Sequence, residues 1–368
     1  MSQKSPRPVV AFRADASSLI GIGHVSRCLF LAEALRDLGY FSVFLCQRLP
    51  RNAGEKIWDR GFQLRWLNAA NLDVEQSLKA SSQIRDAMQT VEKLSQTACR
   101  CLVLDHYRLG MTWEKYVSGR LMIPVVVLED MPLRRHSCNM LVNPSLARTV
   151  LDYRSKTPPS CRFLLGPRYA LVPKKFVSSR PRNRLRSPKQ ILISMGGNDH
   201  ANATVKILRR LREFRGISRF HVKVVLGSKA PWRAEVRRAL SRLTPKSSLW
   251  INVRNMAGLM RQSQIGILAP GTIAWEALAA GLPSLLIATS RHQIFNARQL
   301  DRGGFARYLG RVKNLPASLL AKELRGLVDS ESAWSRLSQK ARSLVDGKGP
   351  CRVARGVVSL IKRPRVIK

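Results

Sequence analysis

Acidic side chains are scarce in this chain. Its 368 residues hold 23 Asp and Glu against 64 Lys and Arg, a formal net charge of +41. That imbalance excludes a strongly cationic partner and favours anions: nucleic acid, phospholipid headgroups or phosphorylated small molecules. Long apolar runs are missing too, and none approaches the roughly 18 residues that a membrane span needs. The opening MSQKSPRPVVAF is polar, and Asp15 precedes any long apolar stretch, a pattern unlike a secretory signal. The seven cysteines, at 28, 46, 99, 101, 138, 161 and 351, are odd in number and contain no CxxC pair. They fit reduced thiols in a cytoplasmic protein better than a disulfide framework or a zinc site. There is no Walker loop and no full GxGxxG, so an ATPase or a nicotinamide enzyme is not supported. Helix-turn-helix, zinc-finger and RNP patterns are absent as well, which leaves nonspecific adhesion to polyanions but no sequence-specific nucleic-acid recognition.

What is present describes a globular protein: 45% hydrophobic residues with 23 Gly and 19 Pro. At about 150 residues per domain the length accommodates two domains. The charge is regional. Residues 1–100 carry 14 basic and 9 acidic side chains, residues 177–245 carry 17 and 3, and residues 348–368 carry 7 and none. Basic helical stretches such as RRLREFRG and RRALSRL read as solvated faces, with Leu208, Leu211 and Phe214 turned inward on the first and Ala239, Leu240 and Leu243 on the second.

Short aliphatic runs alternate with segments of helical period, the pattern of an α/β protein with parallel sheets. Strands are predicted at 9–12, 41–45, 101–105, 124–129, 140–142 and 162–165, and a helix with Val25, Leu29, Ala32 and Leu35 on one face ends at Gly39. Ile84, Met88 and Val91 mark another amphipathic helix. The proline-containing basic stretch at 173–188 reads as a linker, after which the pattern restarts with ILISMGG, VKVVLG, LWINV, IGILAPG and SLLIATS as strands. The predicted organisation is therefore a first Rossmann-like domain over 1–172, a linker over 173–188, a second over 189–348 and a basic helix or tail over 349–368. The helices near 333–344 and 353–360 have no strand after them and are expected to pack outside or to cross back to the first half.

Ligands of open α/β sheets bind beyond the carboxyl ends of the strands, so the turns there matter most. In Gly21-Ile22-Gly23-His24 the glycines let backbone approach a ligand, and His24 begins a helix whose positive end disfavours imidazolium. His24 is either a proton acceptor or a histidine that merely faces solvent. Gly196 and Gly197 would offer backbone N–H groups to an anion, or simply make a tight turn. Gly271 and Thr272 open a helix toward a phosphate, with Glu276 one turn on and able to accept ribose hydroxyls; the alternative is an ordinary N-cap followed by an acid that complements the helix dipole. Asp105-His106-Tyr107 closes a first-half strand as a polar triplet.

Taken in order, FRADASSLIGIGHVSRCLFLAEAL, LDHY, LEDMPLRRHSCNMLVNPSL, CRFLLGPRYALVPKKF, ILISMGGNDHAN and GTIAWEALAAGLPSLLI, the last followed by HQ, resemble the UDP-2,4-diacetamido-2,4,6-trideoxy-β-L-altropyranose hydrolases of pseudaminic acid biosynthesis. The resemblance runs from about residue 9 to 310. It implies a GT-B-like fold of two Rossmann-like domains facing a cleft, and attack of water on the anomeric carbon with inversion. It also implies His24, Tyr107 and Asp15 as catalytic residues, with Gly23, Asp105, His292 and Gln293 on the substrate. Gly196, Gly197, Gly271, Thr272 and Glu276 would hold UDP. Where the family shows Asn-Gln this chain has His292-Gln293, so His292 replaces an asparagine expected near the sugar or the water. No metal and no cofactor are implied, and the partner is the UDP-sugar substrate. The protein is expected to be a cytoplasmic monomer, with peripheral contact to anionic membrane through its basic segments. A glycosyltransferase using the same leaving group is the alternative, and a polyanion binder on an inactive scaffold is a third reading.

Overall fold

The computed structural model describes residues 7–15, 22–49, 54–68, 80–177, 189–243 and 246–362. The chain divides into two compact units, one of Met1–Leu171 with Gly349–Lys368 and one of Val172–Lys348.

In the first unit β1 (Val9–Ala14), α1 (Gly23–Asp37), β2 (Phe41–Gln47), α2 (Gly54–Trp58), β3 (Gln63–Leu67) and α3 (Ala80–Leu94) lead to β4 (Cys99–Asp105). Then come α4 (Met111–Leu121), β5 (Val125–Leu128), β6 (Met140–Asn143) and β7 (Arg162–Leu165). All seven strands are parallel, in the order β3-β2-β1-β4-β5-β6-β7. A parallel strand covered on both faces needs a nearly continuous apolar run, which β1 supplies except at Arg13. Val10 and Phe12 pack with Val25, Leu29 and Leu35 of α1, while Ala11 lies on the opposite face with Trp113 and Val117 of α4. The predicted face of α1 is the buried one, and Gly39 follows it at φ +86°, a left-handed turn that glycine adopts without strain.

The predicted amphipathic helix is α3, with Val91 packed against the core and Ile84 half-buried. Asp86, Ala87, Thr90 and Leu94 are buried, whereas Met88 is 54% exposed. Asp86 also turns inward, as an ionic partner for Arg13.

The second unit repeats the plan with β8 (Gln190–Ser194), α5 (Ala203–Leu211), β9 (His221–Leu226), α6 (Arg233–Ser241), β10 (Ser247–Ile251) and α7 (Met256–Gln262). It continues through β11 (Ile265–Leu268), α8 (Thr272–Ala279), β12 (Ser284–Ala288), α9 (His292–Arg302), β13 (Arg307–Arg311), α10 (Ala317–Asp329) and α11 (Glu331–Leu344). Its six parallel strands run β10-β9-β8-β11-β12-β13. Leu208, Leu211, Phe214 and Leu240 are buried in its core, with Ala239 and Leu243 packed against it at the margin. β3 (QLRWL) and β13 (RYLGR) are missing from the sequence-based expectation because charged and polar residues interrupt their apolar run.

Of the stretch expected as a linker, residues 174–176 form a short 3-10 turn whose Phe176 is buried, and this turn contacts α7 and α8. Residues 178–188 lie outside the described residues. The last helix, α12 (Gly349–Ile361), returns to the first unit, where Val353, Ala354 and Val357 pack in the same core as α1.

Candidate functional site

In each sheet the chain order reverses at one point, between β1 and β4 in the first unit and between β8 and β11 in the second. The crevice at the carboxyl ends of such a strand pair is where an open α/β sheet binds ligand. The sequence-predicted residues lie at these two points: Asp15, Gly23, His24, Asp105, His106 and Tyr107 at the first, Gly196, Gly197, Gly271, Thr272 and Glu276 at the second. Gly21 lies outside the described residues.

Two ionic clusters occupy the first crevice. The deeper one is built on Arg13, fully buried at the end of β1. Its guanidinium reaches Asp15 at 2.7 and 3.0 Å on one side and Asp86 at 3.0 and 2.6 Å on the other. The Gln47 N–H donates to Asp15 at 2.7 Å, and Trp113 Nε1 donates to Asp86 at 2.8 Å. His106 Nδ1 accepts the Arg108 N–H at 3.1 Å, which leaves Nε2 to donate to Asp15 at 3.1 Å. Burial opposes charge on Asp15, but Arg13 and His106 outweigh it and hold the carboxyl far below the usual carboxylate range. Both Asp15 oxygens are therefore engaged within this cluster, and His24 and Tyr107 are not among its hydrogen-bonding partners.

The outer cluster gathers His24, Tyr107 and Asp105 with two residues that the sequence did not single out, Arg27 and Asp130. Arg27, one turn along α1 from His24, grips Asp105 through two bonds of 2.6 Å and reaches Asp130 at 2.7 Å. The Tyr107 hydroxyl donates to Asp130 at 2.9 Å. Burial works against Asp130 ionising, but Arg27 prevails and brings it down to about 2. Tyr107 is pushed well up by burial and by Asp130, so its hydroxyl stays protonated. The His24 imidazole stacks edge-on against the Tyr107 ring, 4.5 Å between centroids, with Nε2 3.9 Å from Asp105. Among the described residues its Nδ1 has no hydrogen-bond partner, although it is buried. Burial also lowers the His24 pKa below its ordinary 6.5, so the ring is neutral at pH 7. The helix start that carries Gly23 and His24 has no side-chain cap.

A third group braces the loop that delivers Asp130. His136 bridges Glu114 of α4 at 2.7 Å and Glu129 at 3.0 Å, and Arg134 pairs with Glu129 at 2.6 Å. Glu129 in turn accepts the N–H groups of Asp130 and Met131 at 2.9 and 3.0 Å. Burial disfavours charge on His136, but the two carboxylates overcome this and push it up to about 9.

In the second unit Gly196 turns at φ +96°, and Gly197 accepts the Gly227 N–H at 2.7 Å. A Cβ on Gly227 would lie 2.5 Å from the Gly197 carbonyl oxygen, so glycine at 227 is what lets the two loops touch. Asp199 caps α5 by accepting from the N–H groups of Ala203 and Thr204, both at 2.8 Å. Gly271 is the N-cap of α8 and Thr272 its first residue, again without a side-chain cap, with Glu276 one turn on and half-buried. Gln293 uses its side-chain carbonyl to accept from the Thr289 N–H at 2.9 Å and the Thr289 hydroxyl at 3.2 Å, closing the turn between β12 and α9. His292, exposed at the start of α9, pairs with Ser290 Oγ at 3.2 Å. Among the described residues no group of three His, Cys, Asp or Glu is placed to hold a metal ion.

No family model matches the chain. Its architecture is GT-B-like: MurG of Acinetobacter baumannii superposes with a TM-score of 0.68 over 96% of this chain and 100% of that one, at 14% identity. At the sequence level the chain is 30% identical over 193 residues to the spore coat polysaccharide biosynthesis protein SpsG of Bacillus subtilis, 52% of this chain and 57% of that protein. It is 24% identical over 292 residues to an uncharacterized protein of Methanocaldococcus jannaschii, of which 55% is covered, so the chain spans little more than half the length of these two relatives. It is also 25% identical over 296 residues to the UDP-2,4-diacetamido-2,4,6-trideoxy-β-L-altropyranose hydrolase of Campylobacter jejuni, 80% of this chain and 97% of that enzyme.

Proposed function

We propose that the protein is a nucleotide-sugar hydrolase, acting on a UDP-linked diacetamido-trideoxy sugar and releasing UDP and the free sugar. The observation that carries this reading is His24: a neutral, buried imidazole with a bare ring nitrogen at the β1/β4 crevice, beside Tyr107 and Asp105. Such a group accepts a proton near neutral pH, as activation of water requires. The ordered motifs and the Campylobacter relative support the substrate class.

In this mechanism water attacks the anomeric carbon from the face opposite the leaving group. The new C–O bond forms as the bond from that carbon to the diphosphate oxygen breaks, and the electron pair leaves with UDP. The water proton passes to His24, and the configuration inverts. Tyr107 frames the reacting sugar, while Asp15 keeps Arg13 and His106 in place beneath it. Gly196, Gly197, Gly271 and Thr272 supply N–H groups and a hydroxyl to the diphosphate, and Glu276 accepts the ribose hydroxyls. Placement of water and stabilisation of the departing anion supply the rate. In this reading His292 and Gln293, at the start of α9, are the residues offered to the sugar.

Incubation with the UDP-sugar in ¹⁸O-labelled water should release UDP and place label on the anomeric oxygen. His24→Gln should lower turnover by about 10²- to 10⁴-fold while UDP affinity changes little. Absence of turnover by folded wild-type enzyme, or full turnover by the variant, would overturn the reading. Product formed only when an acceptor alcohol is supplied would identify a glycosyltransferase instead.

A further inference from the structure

We infer that Asp105, clamped by Arg27, is a positioning residue that fixes His24 with its proton on Nε2 and leaves Nδ1 as the atom that receives the proton from water. The inference rests on His24 being the base and specifies how that base is set.

A neutral imidazole carries one proton and one lone pair, and the protein decides which nitrogen holds which. His24 Nε2 faces the Asp105 carboxylate at 3.9 Å. A proton there points at negative charge; a lone pair there would oppose it and leave the proton on a buried Nδ1 that has no acceptor among the described residues. Burying an unsatisfied N–H costs about 1–3 kcal/mol, so the Nε2–H form is favoured. The Tyr107 ring, 4.5 Å away, restricts the imidazole from turning over.

Arg27 supplies the second half of the device. A free carboxylate could close on Nε2 and hold the ring as imidazolium, which cannot accept a proton. Arg27 occupies both Asp105 oxygens at 2.6 Å, so the carboxylate orients the ring from a distance without binding it tightly. The other groups acting on His24 are Asp130, which favours charge on the ring, and His106, which opposes it; the Arg27 guanidinium itself also opposes it. In the reaction the water O–H bond breaks toward Nδ1, and the imidazolium formed then has Asp105 on its far side.

Long-range ¹⁵N–¹H correlation spectra of histidine-labelled wild-type protein give the tautomer directly, without substrate. The His24 signal, assigned by its loss in His24→Gln, should show a protonated Nε2 and a bare Nδ1. Asp105→Asn should lower the pH midpoint of His24 protonation, and Arg27→Gln should raise it, each by about one pH unit. Asp105→Asn should also cut kcat by about 10²-fold or more with KM little changed. A proton on Nδ1 in the wild type overturns the inference, as do midpoint shifts in the same direction in both variants. Full turnover by His24→Gln removes the base itself, so the two failures are distinguishable.

Discussion

Arg13 and Arg27 hold the same number of carboxylates and do different work. Arg13 is fully buried between Asp15 and Asp86, and its surroundings complete the hydrogen bonds of both acids. Taking one partner from such a triad leaves an uncompensated buried charge, so Asp86→Ala should destabilise the protein by about 3–5 kcal/mol. Urea unfolding checks this, and a loss below about 1 kcal/mol would show that the cluster does not frame the site. Arg27 keeps a side-chain exposure of 12% and stands beside the imidazole it regulates, so its loss should appear first in the pH profile and only second in stability. His24 fixes the sign of that profile. Burial lowers its pKa below 6.5, so kcat/KM should be constant near neutral pH and fall as pH drops through a midpoint below 6.5. Asp15 entered through the family resemblance alone, whereas His24 and Tyr107 were visible in the sequence because they lie in short motifs at strand ends. Arg27 and Asp130 were not, because neither stands beside a glycine turn and their pairing joins residues 103 positions apart.

At the scale of elements the segment after β5 is the informative one. Glu129, Arg134 and His136 make it a braced loop, and Asp130 is aimed at Tyr107 as a result. His136 is raised to about 9 from an ordinary 6.5, so its stabilising contribution is complete below 6.5 and is lost as pH rises toward and through 9. The stability advantage of wild type over His136→Gln should therefore be large at pH 6 and shrink at pH 9; an advantage unchanged between those values would refute the charged bridge. The same ionic logic explains α3. Its period was legible from Ile84, Met88 and Val91, but the inward place of Asp86 was not, because the arginine that answers it lies 73 positions away. Strands β3 and β13 escaped because Arg65 in the one and Arg307, Gly310 and Arg311 in the other break the apolar run that marks a strand.

On the scale of the molecule the two units are built alike, yet the chain does not pass through them once. α12 comes after the second unit and closes the core of the first, with Val353, Ala354 and Val357 buried beside α1. The approach is close: a Cβ at Gly349 would run into the carbonyl of Ala170. Deleting residues 349–368 should lower the melting temperature of the first unit and leave that of the second nearly unchanged, separating one calorimetric transition into two. An unaltered single transition would mean that α12 adds little to the first core. The net charge of +41 belongs to this scale as well. It lies heavily on α5, α6 and the segments flanking them, and among the described residues only two arginines, Arg13 and Arg27, enter the ionic clusters at the first crevice around Asp15 and Asp105. The charge can draw an anionic substrate toward the protein without setting its chemistry.

Local pattern determined much of this protein. Period-2 and period-3.6 runs, with glycines at strand ends, specify two parallel α/β halves and point to the turns where His24, Gly196, Gly197, Gly271 and Thr272 stand, because these signals arise within a few residues of one another. Tertiary structure alone decided which charges meet. Arg13 finds Asp86 across 73 positions, Arg27 finds Asp105 and Asp130, and α12 finds α1. No local period encodes such pairings. They follow from the demand that every buried charge be answered, and that demand is met only when distant segments pack together.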